Sequence, residues 1–205
     1  MDYSSRDRAS IFERFIKPKF PTEYWIHTGD FTNEEVATIQ QGYQNWEPVL
    51  QRLTGTPFHF RFMGYALTPV DGFDNVHIIL RVSLSEPKLA STYLLFTQSG
   101  KPIPGGDMEI SSNKSFHTMD QWHLKGIRMY FSGCLEAIVT HEVGHLMGLN
   151  HSLNPDDIMY PQETMTNCAV RKPSANDEYA LEQFYLNYLT NFDFTKNFNK
   201  DETNF

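Results

Sequence analysis

Thr140–Ser152 reads THEVGHLMGLNHS and places three of the chain's eight histidines within eleven positions, with a glutamate beside the first. On a helix, His141 and His145 lie four residues apart, so their side chains leave one face a turn apart and reach the same ion. Glu142 is turned away by about 100° and is placed to act as a general base on water held at that ion. Gly148 follows three residues after His145. A residue free to take positive φ there ends the helix and swings the chain back, so that His151 joins the first two. Three neutral imidazoles with one open position describe a catalytic zinc site and not a closed structural one. A bare HExxH arises by chance, but each further fixed position lowers the odds of accident by roughly tenfold.

The helix carrying this stretch is expected to begin near Ser132 or Gly133 and to turn Leu135, Ile138, Val139 and Leu146 to the core. Downstream, HSLNPDDIMYP sets Met159 eight residues after His151. A lone methionine there reads as core. A further helix is expected after Pro173, with Ser174 as N-cap and Tyr179, Ala180, Gln183, Phe184 and Leu186 along it. Upstream, Thr32 and Glu35 form a capping box, and Val36, Ile39, Tyr43, Trp46 and Leu50 make one apolar stripe, which predicts a helix over Thr32–Leu50 whose regular part ends at Pro48. Aromatic and β-branched runs predict strands over Tyr24–His27, Phe58–Phe62, Val76–Val82, Tyr93–Thr97 and Met108–Ser111. Gly55-Thr56-Pro57, Asp71-Gly72 and Gly105-Gly106 read as the turns between them.

A length of 205 residues suits one domain, with or without tails. The formal net charge of −8 and the lack of a basic cluster exclude the electrostatic footprint of a nucleic-acid binder. No apolar run is long enough for a membrane span. Met1–Pro21 has neither an apolar h-region nor a small-residue cleavage site, so it does not read as a signal peptide. Cys134 and Cys168 either form one disulfide or stay buried thiols. The last stretch, NFDFTKNFNKDETNF, reads as a tail.

HEVGHLMGLNH, followed by Met159 in DIMYP, resembles the metzincin zinc peptidases and, among them, most the matrixins. The Thr32–Leu50 helix with Asn45-Trp46, the Gly105-Gly106-Asp107 turn and SANDEYALEQFY are similar to matrixin segments in the same order, so the likeness runs roughly from Pro21 to Leu189. It implies an α+β domain: a twisted, mostly parallel five-stranded sheet with three helices, and a small C-terminal subdomain below an active-site cleft. Residues 21–190 would form the catalytic domain, divided into 21–151 above and 152–190 below, with 1–20 as an extension and 191–205 as a tail. By position, His141, His145 and His151 would hold zinc, Glu142 would be general base and proton shuttle, and Met159 would floor the site. Tyr160 and Pro161 would line the pocket for the side chain after the cleaved bond. Ala137, small and one turn before His141, hints that this pocket takes a large apolar group.

The function implied is a zinc-dependent endopeptidase acting on an extended protein or peptide segment laid along the exposed edge of the sheet. It would work as a monomer and, by resemblance, outside the cell. A catalytically silent zinc-containing peptide-binding module is the alternative, against which Glu142 argues because a structural site needs no base. The family's second zinc uses histidines in segments like LAHA and GGDxHFD. Here Leu89-Ala90-Ser91-Thr92 and Gly105-Gly106-Asp107-Met108-Glu109-Ile110-Ser111 lack them, so one zinc is expected. Ser111 and Lys114 stand near the places of calcium-binding acidic residues, and the calcium requirement stays open. His27, His59, His77, His117 and His123 bracket no motif and read as ordinary surface or core histidines.

Overall fold

A computed structural model describes residues 22–67, 76–85, 87–93, 95–96, 102–103, 106–119, 132–161 and 168–191. The expectations for the N-terminal extension, the Asp71-Gly72 turn, Gly105, His123 and the tail beyond residue 191 lie outside these residues.

Helix α1 (Asn33–Gln44) starts as its sequence dictates. The Thr32 hydroxyl accepts the Glu35 N–H at 3.2 Å, and the Glu35 carboxylate accepts the Thr32 N–H at 2.9 Å. The apolar stripe is buried through Leu50, but the helix is not continuous. It stops at Gln44, and α2 (Glu47–Thr54) follows with Pro48 in its first turn. Pro48 has no N–H to give the Gln44 carbonyl and its ring clashes with that carbonyl, so the break falls one turn ahead of the proline. The same missing N–H is harmless at a helix start, and Pro48 therefore opens a helix where the sequence reading had it close one.

The main sheet has the order β2-β1-β3-β7-β4. Strands β1 (Thr22–His27), β2 (Phe60–Ala66), β3 (His77–Val82) and β7 (Met108–Ser111) are parallel, and β4 (Ala90–Thr92) runs antiparallel along β7 at one edge. Pairing of β1 with β2 slips by one residue beyond Tyr24. Gly64, at φ 116°, carries the extra residue in a conformation that L side chains avoid. The expected strand Tyr93–Thr97 divides differently: the sheet edge is Ala90–Thr92, and β5 (Leu95–Phe96) pairs with β6 (Pro102–Ile103). Strand β8 (Ser115–His117) pairs in parallel with β9 (Ser132–Cys134), so α3 (Leu135–Leu146) begins two residues later than Gly133.

Every residue of α3 from Leu135 to Gly144 is buried. It packs on α1 at Gly42, where an added Cβ would lie 2.6 Å from Val139 Cγ1 and 3.2 Å from the Thr140 nitrogen. Helix α4 (Ala175–Asn191) is capped by Ser174, whose hydroxyl accepts the Asp177 N–H at 3.1 Å. Asp177, Leu181 and Phe184 face inward, whereas Tyr179 and Leu186 face solvent. Cys134 and Cys168 form a disulfide with their Cα atoms 5.4 Å apart, tying the start of α3 to the segment ahead of α4. Among the described residues no helix is long and apolar enough to cross a membrane.

The scattered histidines have packing partners. His59 lies between Glu47 and the Thr54 and Thr56 hydroxyls, His117 sits 3.4 Å from Cys168 Sγ, and His27 is 3.0 Å from the Asp30 carboxylate. His77, the first residue of β3, is buried, donating through Nδ1 to the Gly106 carbonyl and accepting the Tyr43 hydroxyl at Nε2, 2.6 Å away. Burial lowers its pKa from 6.5 to about 4. Between those values the unfolded chain binds the proton more readily, so this contribution to stability is complete above pH 6.5 and disappears as pH falls toward 4. At pH 5 the loss amounts to about 2 kcal/mol. Urea denaturation at pH 7 and pH 5 should show a smaller drop for His77→Gln than for the wild type. Equal drops would place the acid sensitivity elsewhere.

Candidate metal centre

Two turns of α3 carry His141 and His145, and the chain then reverses through a glycine-ended cap. The Gly148 N–H bonds to the His145 carbonyl at 2.8 Å, the Leu149 N–H bonds to the Gly144 carbonyl at 2.9 Å, and Gly148 stands at φ 94°. This reversal delivers His151. The ligand atoms of His141, His145 and His151 all lie within 4.8 Å of one another.

Hydrogen bonding settles which nitrogen faces inward. His141 Nδ1 is 2.7 Å from the Ile158 carbonyl and His145 Nδ1 is 2.8 Å from the Leu149 carbonyl. A carbonyl only accepts, so each Nδ1 carries the proton and each Nε2 keeps its lone pair. The Nε2 atoms of His145 and His151 are 3.2 Å apart. Two nitrogens on a tetrahedral zinc, each about 2.0–2.1 Å from the ion, would stand about 3.4 Å apart, so this pair of donors suits that metal. Burial lowers the pKa of His141 to about 3, with the neighbouring His145 adding to it, and lowers those of His145 and His151 as well. All three rings are therefore neutral at neutral pH, the form a metal requires. His141 is buried and His151 is exposed, so the cluster opens toward solvent on the His151 side.

Glu142 is buried beside the first histidine. Burial pushes its carboxyl up to about 7, while the Thr92 hydroxyl, the Thr92 backbone and the Lys88 charge pull the other way. The Thr92 hydroxyl, at the end of β4, lies 2.7 Å from Glu142 Oε2 and 3.3 Å from the Glu142 carbonyl. Met159 is buried beneath α3, its sulfur 2.3 Å from where a Cβ on Gly144 would sit, so this glycine makes room for it. Tyr160 is half-buried and Pro161 exposed at the start of the following segment, whose residues 162–167 lie outside the described residues. Ala137 is 1% exposed and belongs to the core cluster.

Several supporting residues escaped the sequence reading. The Asp177 carboxylate accepts N–H groups from Ile158 at 2.9 Å, Met159 at 3.3 Å and Ser174 at 2.8 Å. It thereby fixes the Ile158 carbonyl that orients His141. Asp157 gathers the Ser152, Asn154 and Ser174 side chains, folding the segment between His151 and Met159. The Ser152 N–H closes that segment on the Met159 carbonyl at 2.8 Å. Asn45 Nδ2 reaches Glu136, Thr140 and the Arg171 carbonyl, and Trp46 Nε1 donates to the Thr140 carbonyl at 2.8 Å. The break between α1 and α2 thus presents two side chains that brace α3 one residue ahead of His141. A reciprocal Ser174-x-x-Asp177 cap was the only local signal for any of these partners.

Comparison with known proteins points the same way. The family model for matrixin matches residues 95–186. Matrilysin of Felis catus is 39% identical over 49 residues, which are 24% of this chain and 19% of that protein. A candidate matrix metalloproteinase of Trichoplusia ni ascovirus 2c is 34% identical over 102 residues, 48% of this chain and 19% of that protein. Macrophage metalloelastase of Rattus norvegicus is 37% identical over 51 residues, 25% of this chain and 11% of that protein. The chain therefore spans about a fifth or less of the length of these curated relatives. The mostly parallel five-stranded sheet, with its three helical stretches and the first of them broken in two, is the α+β architecture of that family. Fold, histidine cluster and matches together make the chain similar to the matrixins, the family model covering residues 95–186.

Proposed function

We propose that the chain is a zinc-dependent endopeptidase whose residues 21–190 form the catalytic domain, with 21–151 above the site and 152–190 below it. One observation carries the reading: three neutral imidazoles present their donor atoms together, and the residue next to the first of them is a buried glutamate bonded to the edge strand of the sheet. A site serving structure alone has no use for that carboxylate. His141, His145 and His151 would hold a single ion. When bound, zinc supplies Lewis acidity, polarising a carbonyl and acidifying water at its open position.

The chain's own groups would do the rest. An extended protein segment pairs with the outer side of β4, which among the described residues is bonded only to β7. The Glu142 carboxylate takes a proton from the water as the water oxygen attacks the scissile carbonyl carbon. It then delivers that proton to the amide nitrogen as the C–N bond breaks, leaving a carboxylic acid and an amine, and the second water proton passes from the acid to the amine to give carboxylate and ammonium. Met159 supports the histidines from beneath without touching substrate, and Tyr160 and Pro161 border the place of the side chain that follows the cleaved bond. The match to the matrixin model supports a setting outside the cell.

A mixed pool of quenched peptides tests the reading. Cleavage should vanish on treatment with 1,10-phenanthroline and return with one equivalent of zinc. Tight zinc binding with no peptide cleaved would instead make this a binding module.

A further inference from the structure

We infer that Thr92 is a positioning residue for Glu142, its hydroxyl holding Oε2 so that Oε1 is the oxygen presented to the reacting water. The inference rests on the endopeptidase reading and deepens it. A threonine hydroxyl has one proton, and of its two acceptors the carboxylate oxygen at 2.7 Å is closer and better than the backbone carbonyl at 3.3 Å. The bond joins groups 50 positions apart in sequence, from two different elements.

Both ends are fixed. Thr92 pairs with Met108 in the sheet, and the next N–H, of Tyr93, bonds to the Asp107 carbonyl at 2.9 Å. Asp107 is anchored in turn, its carboxylate accepting the Ile78 N–H at 3.0 Å. A β-branched side chain on such a strand has little χ1 freedom, so the hydroxyl points where the strand sends it. Glu142 rides on a helix buried along that stretch. A carboxylate so enclosed has few waters to satisfy a misplaced oxygen, so the donors of Thr92, its hydroxyl at 2.7 Å from Oε2 together with its backbone, decide which oxygen is free. Because Thr92 belongs to the strand whose outer side would receive the peptide, seating the substrate and aiming the base become one event.

Thr92→Val keeps the shape and the β-branch and removes the donor, whereas Thr92→Ser keeps the donor. The expected result for Thr92→Val is a kcat lower by about 10- to 100-fold, with KM within about twofold and zinc content unchanged. Thr92→Ser should stay within about threefold of the wild type. In zinc-free protein, the infrared carboxyl band identified by difference from Glu142→Gln should shift in Thr92→Val and hold in Thr92→Ser. Wild-type kcat in Thr92→Val, equal impairment of both variants, or an unmoved carboxyl band would overturn the inference while leaving the endopeptidase reading intact. A wild type that cleaves no peptide would overturn both.

Discussion

Glu142→Ala should lower kcat on the order of a thousandfold while the protein keeps its zinc. General acid–base groups contribute about 10²- to 10⁴-fold, and this residue is asked to act twice, taking a proton from water and returning it to the leaving nitrogen. The metal should be indifferent to the change, because the converging donors are His141, His145 and His151, and two of these are oriented by the backbone carbonyls of Ile158 and Leu149. The fold should tolerate it too. Alanine is the best helix former, and the change removes a carboxyl whose burial already opposes its charge. Glu142→Gln is the companion variant, since it retains an acceptor for the Thr92 hydroxyl and still has no basic oxygen to offer. Peptide turnover and metal content are measured on the same samples. A kcat within tenfold of the wild type at full zinc occupancy would remove Glu142 from the reaction.

Legibility from the sequence followed the range of the interactions. The histidine cluster was readable because its parts lie within eleven positions and obey helix geometry: i and i+4 for His141 and His145, then a positive φ at Gly148. The Thr32–Glu35 cap and the Ser174 cap are equally local, and each is found where the spacing put it. Errors came where a local rule met a distant partner. Helical periodicity carried Trp46 and Leu50 into one helix, because it cannot register the clash that Pro48 imposes on Gln44 or the pull of α3 on Asn45 and Trp46. The β-rich run Tyr93–Thr97 missed the edge strand by three residues, since Ala90-Ser91-Thr92 has little strand propensity and is held by its ladder with Met108–Ile110. Pairing of Cys134 with Cys168 joins positions 34 apart and the Thr92–Glu142 contact positions 50 apart, so neither has a local signal.

Asp177→Ala is the second variant with a large expected effect, and here stability should fail together with metal binding. Three backbone N–H groups, from Ile158, Met159 and Ser174, end on this one buried carboxylate. Each stranded donor costs about 1–3 kcal/mol if water cannot replace its partner. Water can reach Ser174 more easily than Ile158 or Met159, which are about 1% exposed, so a net loss of about 3 kcal/mol is expected. Deleting the carboxylate also recovers its desolvation, which is why its pKa is raised and why the three donors do not add in full. The same carboxylate holds the peptide unit whose carbonyl fixes the Nδ1 proton of His141. Freed from Asp177, that carbonyl no longer selects one ring orientation, and zinc affinity should fall about 10- to 100-fold. Asp177→Asn separates the two effects, since it retains one acceptor oxygen but turns an NH₂ toward at least one of the three donors; it should lie between the wild type and Asp177→Ala in both measurements. Chemical denaturation of the zinc-free protein and competitive zinc titration read them independently. If zinc affinity holds while stability drops, the Ile158 carbonyl is positioned by the chain around it and Asp177 serves only to hold α4 in place.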